Sequence, residues 1–309
     1  MKTIQIGKSS LKASRLAYGC WRVAGSWNPA EVTPATEAAG RAAIIAAYEA
    51  GYTIFDNADI YCRGRAEEIF GQVLREVPEM RERVVVVTKG GIRADGEPKR
   101  WDFSGEHLVH ACESSLKRMG IDTVDLYLLH RPDILADPHE IAGALTQLHD
   151  AGKVRFFGVS NFRPSLFNAM QAAFPLPFVT NQVEISLLQR ATFEDGTLDQ
   201  CLERKLTPMA WSPLGAGLLG DGAHKLLASQ ESYKAKEVVA VLDEMAKGRG
   251  VTRTAIALAW LLKHPSKIMP IVGSNDPKRI RDAAQADTVE LTREEWYRLW
   301  IAARGEPLP

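Results

Sequence analysis

No apolar run in this 309-residue sequence is long enough to span a bilayer, and no excess of charge favours a polyanion. Lys plus Arg and Asp plus Glu both total 38, for a formal net charge of zero. That balance argues against nucleic acid or an anionic membrane as the main partner and leaves any anionic ligand to a local cluster of cations. The first residues, MKTIQIGKSS, lack the apolar core of a signal peptide, so the expected location is the cytoplasm. Cysteine is scarce: Cys20, Cys62, Cys112 and Cys201 are scattered without a CxxC pair and read as reduced thiols. Cys62 is expected to be small buried filler. No HxH pair lies on the first strand-like run to seed a metal site, and no metal is expected. A GxGxxG turn is missing after that run, which counts against an open, doubly wound dinucleotide-binding sheet. There is no linker, low-complexity tract or composition shift to mark a second domain, and no heptad pattern that demands assembly.

What is present is alternation. Short β-branched runs occur at RLAYG (15–19), YTIFD (52–56), VVVVTK (84–89), DLYLLH (125–130), FFGVSN (156–161), FVTNQ (178–182), PMAW (208–211) and MPIVG (269–273). Amphipathic stretches such as GRAAIIAAYEAG, GEHLVHACESSLKRMG and HEIAGALTQLHDAG separate them. Two helical stretches, KEVVAVLDEMAKG and TRTAIALAWLLKHP, follow the seventh run, and DPKRIRDAAQA and REEWYRLWIAAR follow the eighth. Strand–helix alternation means parallel strands with helical crossovers, and eight units over about 250 residues fit a closed barrel. The expected fold is therefore α/β, a (β/α)8 TIM barrel forming one domain over residues 1–309, with additional C-terminal helices. TIQIGKSSLKASRLAYG suggests an N-terminal β-hairpin that plugs the lower end. The longest irregular segments, GSWNPAEVTPA and SPLGAGLLGDGAHK, follow runs one and seven and would lie on the upper rim, where barrel enzymes keep their chemistry.

The strand ends carry the polar residues. The second run ends in Asp56 with Tyr61 five residues on, the third in Lys89 and the fourth in His130. Each has an ordinary explanation alone: a strand-end lysine snorkels, a lone histidine is a satisfied structural residue, an Asp caps a helix, and a Tyr fills the core. An acid, a phenol, an amine and an imidazole converging on one rim is a constellation those explanations do not cover. Its chemistry is carbonyl reduction. Hydride arriving at a carbonyl carbon leaves charge on oxygen, which needs a proton donor and a polarising hydrogen bond. Tyr61 is the expected general acid, Lys89 the neighbour that lowers its pKa, Asp56 the partner of Lys89, and His130 the donor that orients the carbonyl.

These residues resemble the aldo-keto reductase family. FDNADIY is similar to its Asp-x4-Tyr motif, VVVVTKGG to its lysine strand and DLYLLHRPD to its histidine strand. GKVRFFGVSNF, TNQVEIS and AWSPLGAGLL match, in order, its motifs after strands five, six and seven, so the resemblance covers nearly the whole chain, most like bacterial members of undefined substrate. It implies a small-molecule carbonyl substrate and NADPH (or NADP+) as cofactor. Ser160, Asn161 and Gln182 would be the nicotinamide-carboxamide ligands, and Trp211 the ring that stacks on one nicotinamide face. Ser212, Pro213, Leu214, Gly215 and Gly217 would form the loop over the pyrophosphate. Cys20 and Trp21 would lie at the nicotinamide end. Ser274 and Arg279, with Lys278 adjacent, would hold the 2′-phosphate. The sequence departs from many NADPH-binding members at Gly273, where they carry Lys, and at Ala283, where they carry Asn.

Two other readings stay open on sequence alone. One is an NADPH-binding regulatory or redox-sensing module with negligible turnover. The other is a different barrel chemistry, such as a Schiff-base aldolase using Lys89. Trp21, Trp27, Leu218 and Leu219 suggest a partly apolar substrate pocket.

Overall fold

The structure, a computed structural model, describes residues 1–94, 100–221 and 235–308. The chain begins with β1 (Thr3–Gln5) and β2 (Lys12–Ser14), an antiparallel hairpin. The barrel strands are β3 (Ala17–Gly19), β4 (Ile54–Asp56), β5 (Val85–Gly90), β8 (Val124–Leu129), β9 (Val154–Ser160), β10 (Phe178–Glu184), β11 (Thr207–Trp211) and β12 (Met269–Val272). They pair in that order, all parallel, and close when β12 meets β3. All eight expected runs are barrel strands. A second small hairpin, β6 (Ile92–Arg93) with β7 (Arg100–Trp101), follows β5 and was not expected from the sequence.

Helices α1 (Pro34–Glu49), α2 (Arg65–Glu76), α3 (Met80–Arg83), α4 (Gly105–Met119), α5 (Pro138–Asp150), α6 (Pro164–Ala173) and α7 (Thr197–Arg204) alternate with the strands. Their starts follow local chemistry. Thr33 and Thr36 form a capping box before α1 with Pro34 in the first turn, and Asp137 caps α5 ahead of Pro138. After β11 come α8 (Lys236–Arg249) and α9 (Arg253–Leu262); after β12 come α10 (Pro277–Ala284) and α11 (Arg293–Arg304). The C-terminal helices are held by an aromatic cluster in which Trp260 and Trp296 stack at 4.9 Å and each indole donates to the other's backbone carbonyl. The end of the expected loop SPLGAGLLGDGAHK, residues 222–225, lies outside the described residues.

The two-residue period of a strand sorts its side chains between barrel interior and helix layer. Ile54, Val85, Val87, Leu126 and Leu128 fill the interior, whereas Phe55, Val86 and Tyr127 pack under the helices. The same parity carries Asp56, Lys89 and His130 to the interior side at the upper strand ends. Outward-facing Thr88 instead bonds the buried Glu67 of α2, which also pairs with Arg118 of α4 at 2.7 Å. The lower end is closed by the hairpin: Ile6, Leu11 and Ala13 join the interior cluster, as expected.

Gly7 turns that hairpin at φ +51°, and a Cβ there would lie 2.2 Å from the Val179 carbonyl oxygen. Backbone cannot swing away as a side chain can, so Gly7→Ala should lower stability by about 1–3 kcal/mol in thermal unfolding. Gly152→Ala, also at positive φ but with nothing within 4 Å, is the control and should cost less. Equal losses would show that the hairpin plug is not held by this close approach.

Candidate active site

Lys89 is fully buried, and its ammonium makes three contacts of 2.8 Å, to Asp56 Oδ2, the Asn57 carbonyl oxygen and Tyr61 Oη. An ammonium has three N–H donors and no acceptor, so these contacts use all of them and the phenol oxygen must be the acceptor. Burial works against the charge, but Asp56 and Tyr61 outweigh it and hold the lysine pKa above its ordinary value. Asp56 is fixed from its other side by Gln182, whose Nε2 donates to Oδ1 at 2.8 Å. The structure thus brings together the three residues expected from β4, β5 and the segment after β4.

Tyr61 opens a short 3-10 turn (Tyr61–Gly64) in which Cys62 and Arg63 have φ of +47° and +51° and Gly64 one of +88°. That left-handed path lets the chain enter α2 while the phenol turns back over Lys89, with the ammonium 4.7 Å from the ring centroid. Among the described residues no acceptor takes the Tyr61 hydroxyl proton. Its pKa departs from expectation. Burial pushes it up to about 12, and the lysine, which pulls it down, does not win. The phenol therefore keeps its proton at neutral pH. It is still a sufficient acid towards an alkoxide, which is about as basic as hydroxide, the conjugate base of water with pKa ~15.7.

His130 lies beside the phenol, with ring centroids 6.1 Å apart at 80°. Burial, together with the Lys89 and Arg131 charges, pulls its pKa well below the ordinary histidine value. The imidazole is neutral at physiological pH and carries one N–H donor. Its Nδ1 is buried without a hydrogen-bond partner.

The residues expected at the carboxamide also converge, but they are largely bonded to one another. Ser160 Oγ donates to the Gln182 carbonyl at 2.9 Å and accepts from Asn161 Nδ2 at 2.7 Å. Asn161 Oδ1 accepts the Trp211 indole N–H at 2.9 Å, fixing that ring at the end of β11. The remaining capacity includes the Gln182 Oε1 acceptor, the second N–H of Gln182 Nε2 and a lone pair on Asn161 Oδ1. After Trp211, Ser212, Gly215, Ala216 and Gly217 all have positive φ in a tight coil that includes Pro213 and Leu214. Ser212 Oγ accepts from the Ala216 N–H, closing that coil.

At the end of β12, a Cβ on Gly273 would meet nothing within 4 Å, so backbone is accessible there. Asp276 caps α10 through the Lys278 and Arg279 N–H groups. Lys278 Nζ is engaged by Asp282 at 2.6 Å, so the two cations differ. Arg279 touches Asp276 only at 3.6 Å and leaves its guanidinium about half exposed. The Ser274 carbonyl accepts from Tyr18 Oη and its Oγ accepts from the Asp276 N–H, and its side chain is part of the same turn.

Two expectations are corrected. Cys20 is completely buried next to Asp56 and Lys89, so its thiol does not reach the mouth, which its neighbour Trp21 borders. Leu219 is also fully buried and packs with α8 and α9 in the core, so it cannot line a substrate pocket. Trp27 is exposed and sets its edge against the Tyr61 ring at 6.2 Å and the Trp21 ring at 5.5 Å, consistent with a partly aromatic mouth. All four cysteines are free and buried. Sequence reasoning missed Asn57, whose contribution is a backbone carbonyl, and Arg131, which directly follows His130.

The sequence model described as the Aldo/keto reductase family matches residues 15–303. A protein of Novosphingobium aromaticivorans named 6-dehydroglucose reductase is 42% identical, with 99% of this chain and 96% of that protein aligned. A protein of the same name from Agrobacterium fabrum is 41% identical over 96% of each chain. Among solved structures, a glycerol dehydrogenase from Gluconobacter oxydans superposes with a TM-score of 0.85 at 26% identity, covering 99% of this chain and 97% of that one.

Removing one partner of a buried ion pair leaves the other charged and unpaired, at a cost of about 3–5 kcal/mol. Lys89→Met should therefore destabilise the fold by about that amount in denaturant unfolding, and adding Asp56→Asn should recover part of the loss. A double variant no more stable than Lys89→Met would show that the two groups do not act as a pair.

Proposed function

The chain belongs to the aldo/keto reductase family, and from that premise we propose that it reduces aldehyde or ketone carbonyls to alcohols with NADPH, using Tyr61 as general acid. One observation carries the reading: the Tyr61 oxygen accepts a hydrogen bond from a buried ammonium, so its own proton is not spent inside the protein. The name shared by the two relatives, 6-dehydroglucose reductase, supports a small carbonyl substrate.

The residues fit a nicotinamide dinucleotide. Gln182 Oε1 and Asn161 Oδ1 would accept from the carboxamide, and the face of the half-buried Trp211 would take the ring. The left-handed coil from Ser212 to Gly217, with its small residues, would let the pyrophosphate approach closely, Gly273 would admit the ribose by lacking a side chain, and Arg279 with Ser274 would hold the 2′-phosphate. When bound, the cofactor supplies the hydride that adds to the carbonyl carbon.

The chain's own residues manage the oxygen. Tyr61 gives its hydroxyl proton to the carbonyl oxygen as negative charge builds there, and the O–H bond breaks towards the new alcohol. The resulting phenolate is held by Lys89, whose hydrogen bond becomes charge-assisted at both ends. Asp56 and the Asn57 carbonyl keep the ammonium in place throughout. His130, neutral, donates its N–H to the same oxygen and fixes the carbonyl's direction. Tyr61, Trp27 and Trp21 border the mouth and limit water around the developing charge.

Loss of a positioned general acid costs about 10²–10⁴-fold in rate. Tyr61→Phe should lower kcat for aldehyde reduction by that range while cofactor binding, read by NADPH fluorescence, is unchanged; an undiminished rate would remove Tyr61 from the acid role. Arg279→Met should raise the KM for NADPH by about tenfold, the scale of a lost charge-assisted hydrogen bond, and leave the KM for NADH nearly unaltered. Equal changes for both cofactors would show that Arg279 does not read the 2′-phosphate.

A further inference from the structure

Arg131 is an arginine at the active-site mouth that has no hydrogen-bond or ion-pair partner among the described residues. It follows His130 at the end of β8, is half-buried, and lays its guanidinium 5.4 Å from the centroid of the Trp211 ring. A cation held over an aromatic ring spends none of its N–H groups on a hydrogen bond there, so they stay available to another partner. Burial pulls the Arg131 pKa below the ordinary arginine value, opposed by the Glu184 carboxylate at the end of β10 and by Tyr61 once that phenol ionises. Several other half-buried arginines are tied to carboxylates: Arg15 to Asp287, Arg81 to Asp125, and Arg118 to Glu67. A guanidinium that is partly desolvated, anchored by an aromatic face and adjacent to the proton donor is preorganised for an incoming oxyanion.

We propose that Arg131 is a specificity-determining residue that grips an anionic oxygen substituent of the carbonyl substrate, a carboxylate above all, while Tyr61 and His130 engage the reacting carbonyl. This rests on the reductase reading given above. A carboxylate presents two acceptors to the fork of N–H donors, and a neutral alkyl or ester group cannot match that charge. The aromatic rings of Trp21 and Trp27 border the same mouth and suit the short carbon chain between the two ends.

The test compares NADPH-dependent reduction of 4-oxobutanoate and 5-oxopentanoate with that of their methyl esters, which keep the aldehyde and the chain but lose the charge. The wild-type protein should favour at least one acid over its ester by about tenfold in kcat/KM, the scale of a charge-assisted hydrogen bond, and added salt should shrink the preference. Arg131→Met should remove the preference by raising KM for the acid about tenfold more than KM for the ester, with the KM for NADPH unchanged, and Arg131→Lys should keep part of it. An equal loss on acid and ester would make Arg131 a mere support for Trp211. A raised KM for NADPH with every substrate would assign the guanidinium to the cofactor. A wild-type protein that prefers the esters, or whose preference ignores salt, overturns the proposal without any variant. Failure to reduce these four compounds or any of a broad aldehyde panel would instead sink the reductase reading itself.

Discussion

An ammonium with no solvent exposure has to find oxygen for each of its three N–H bonds, and in this protein that requirement organises the upper end of the barrel. Lys89 meets it with a carboxylate from β4, a backbone carbonyl just beyond that strand, and a phenol from the turn that follows. The carboxylate is in turn pinned by Gln182 from the far side of the barrel. Each partner would be unsatisfied or repelled if the others moved, so the group is held as a unit. The chemical result is directional. A donor-only neighbour turns the phenol oxygen into an acceptor and leaves its proton facing elsewhere.

Much of this was readable before any coordinates, because strand parity is a strict rule. In VVVVTK, the residues at 85, 87 and 89 share one face, so a lysine two positions beyond an interior valine enters the barrel. The same count puts Asp56 above Ile54 and His130 above Leu128. Alternation of strand and helix was equally plain, and all eight runs are barrel strands with the hairpin beneath them. What resisted was partner choice. Nothing in the sequence says that Asn161 spends its oxygen on the Trp211 indole, or that Lys278 turns to Asp282 while Arg279 stays open, because those bonds join distant segments or compete locally by geometry. Cys20 and Leu219 were misplaced for a related reason. A residue's position after a strand fixes its backbone near the mouth but not the side chain's direction. The β6–β7 hairpin was missed because two-residue strands carry no periodicity to detect.

The balance of charge and burial also differs from a simple view of the motif. A lysine beside a tyrosine suggests a phenol made acidic, yet desolvation outweighs the attraction and the phenol is a weaker acid than a free tyrosine. This suits a proton donor at neutral pH, which must be loaded before the reaction begins. The same burial, reinforced by Lys89 and Arg131, keeps His130 neutral and able to donate without competing for the proton. Two neighbouring groups of opposite type are both held in the protonation states that polarising and then protonating a carbonyl oxygen demands.

The most direct test of this account is a pH titration of the Tyr61 ring carbon by 13C NMR on tyrosine-labelled protein, with Tyr61→Phe identifying the resonance. The phenol should remain protonated through pH 10, and removal of Lys89 should move its titration to still higher pH, since the ammonium is the attraction that opposes burial. A phenolate already formed at neutral pH, or a titration indifferent to Lys89, would contradict the claim that this buried ammonium sets the state of the proton donor.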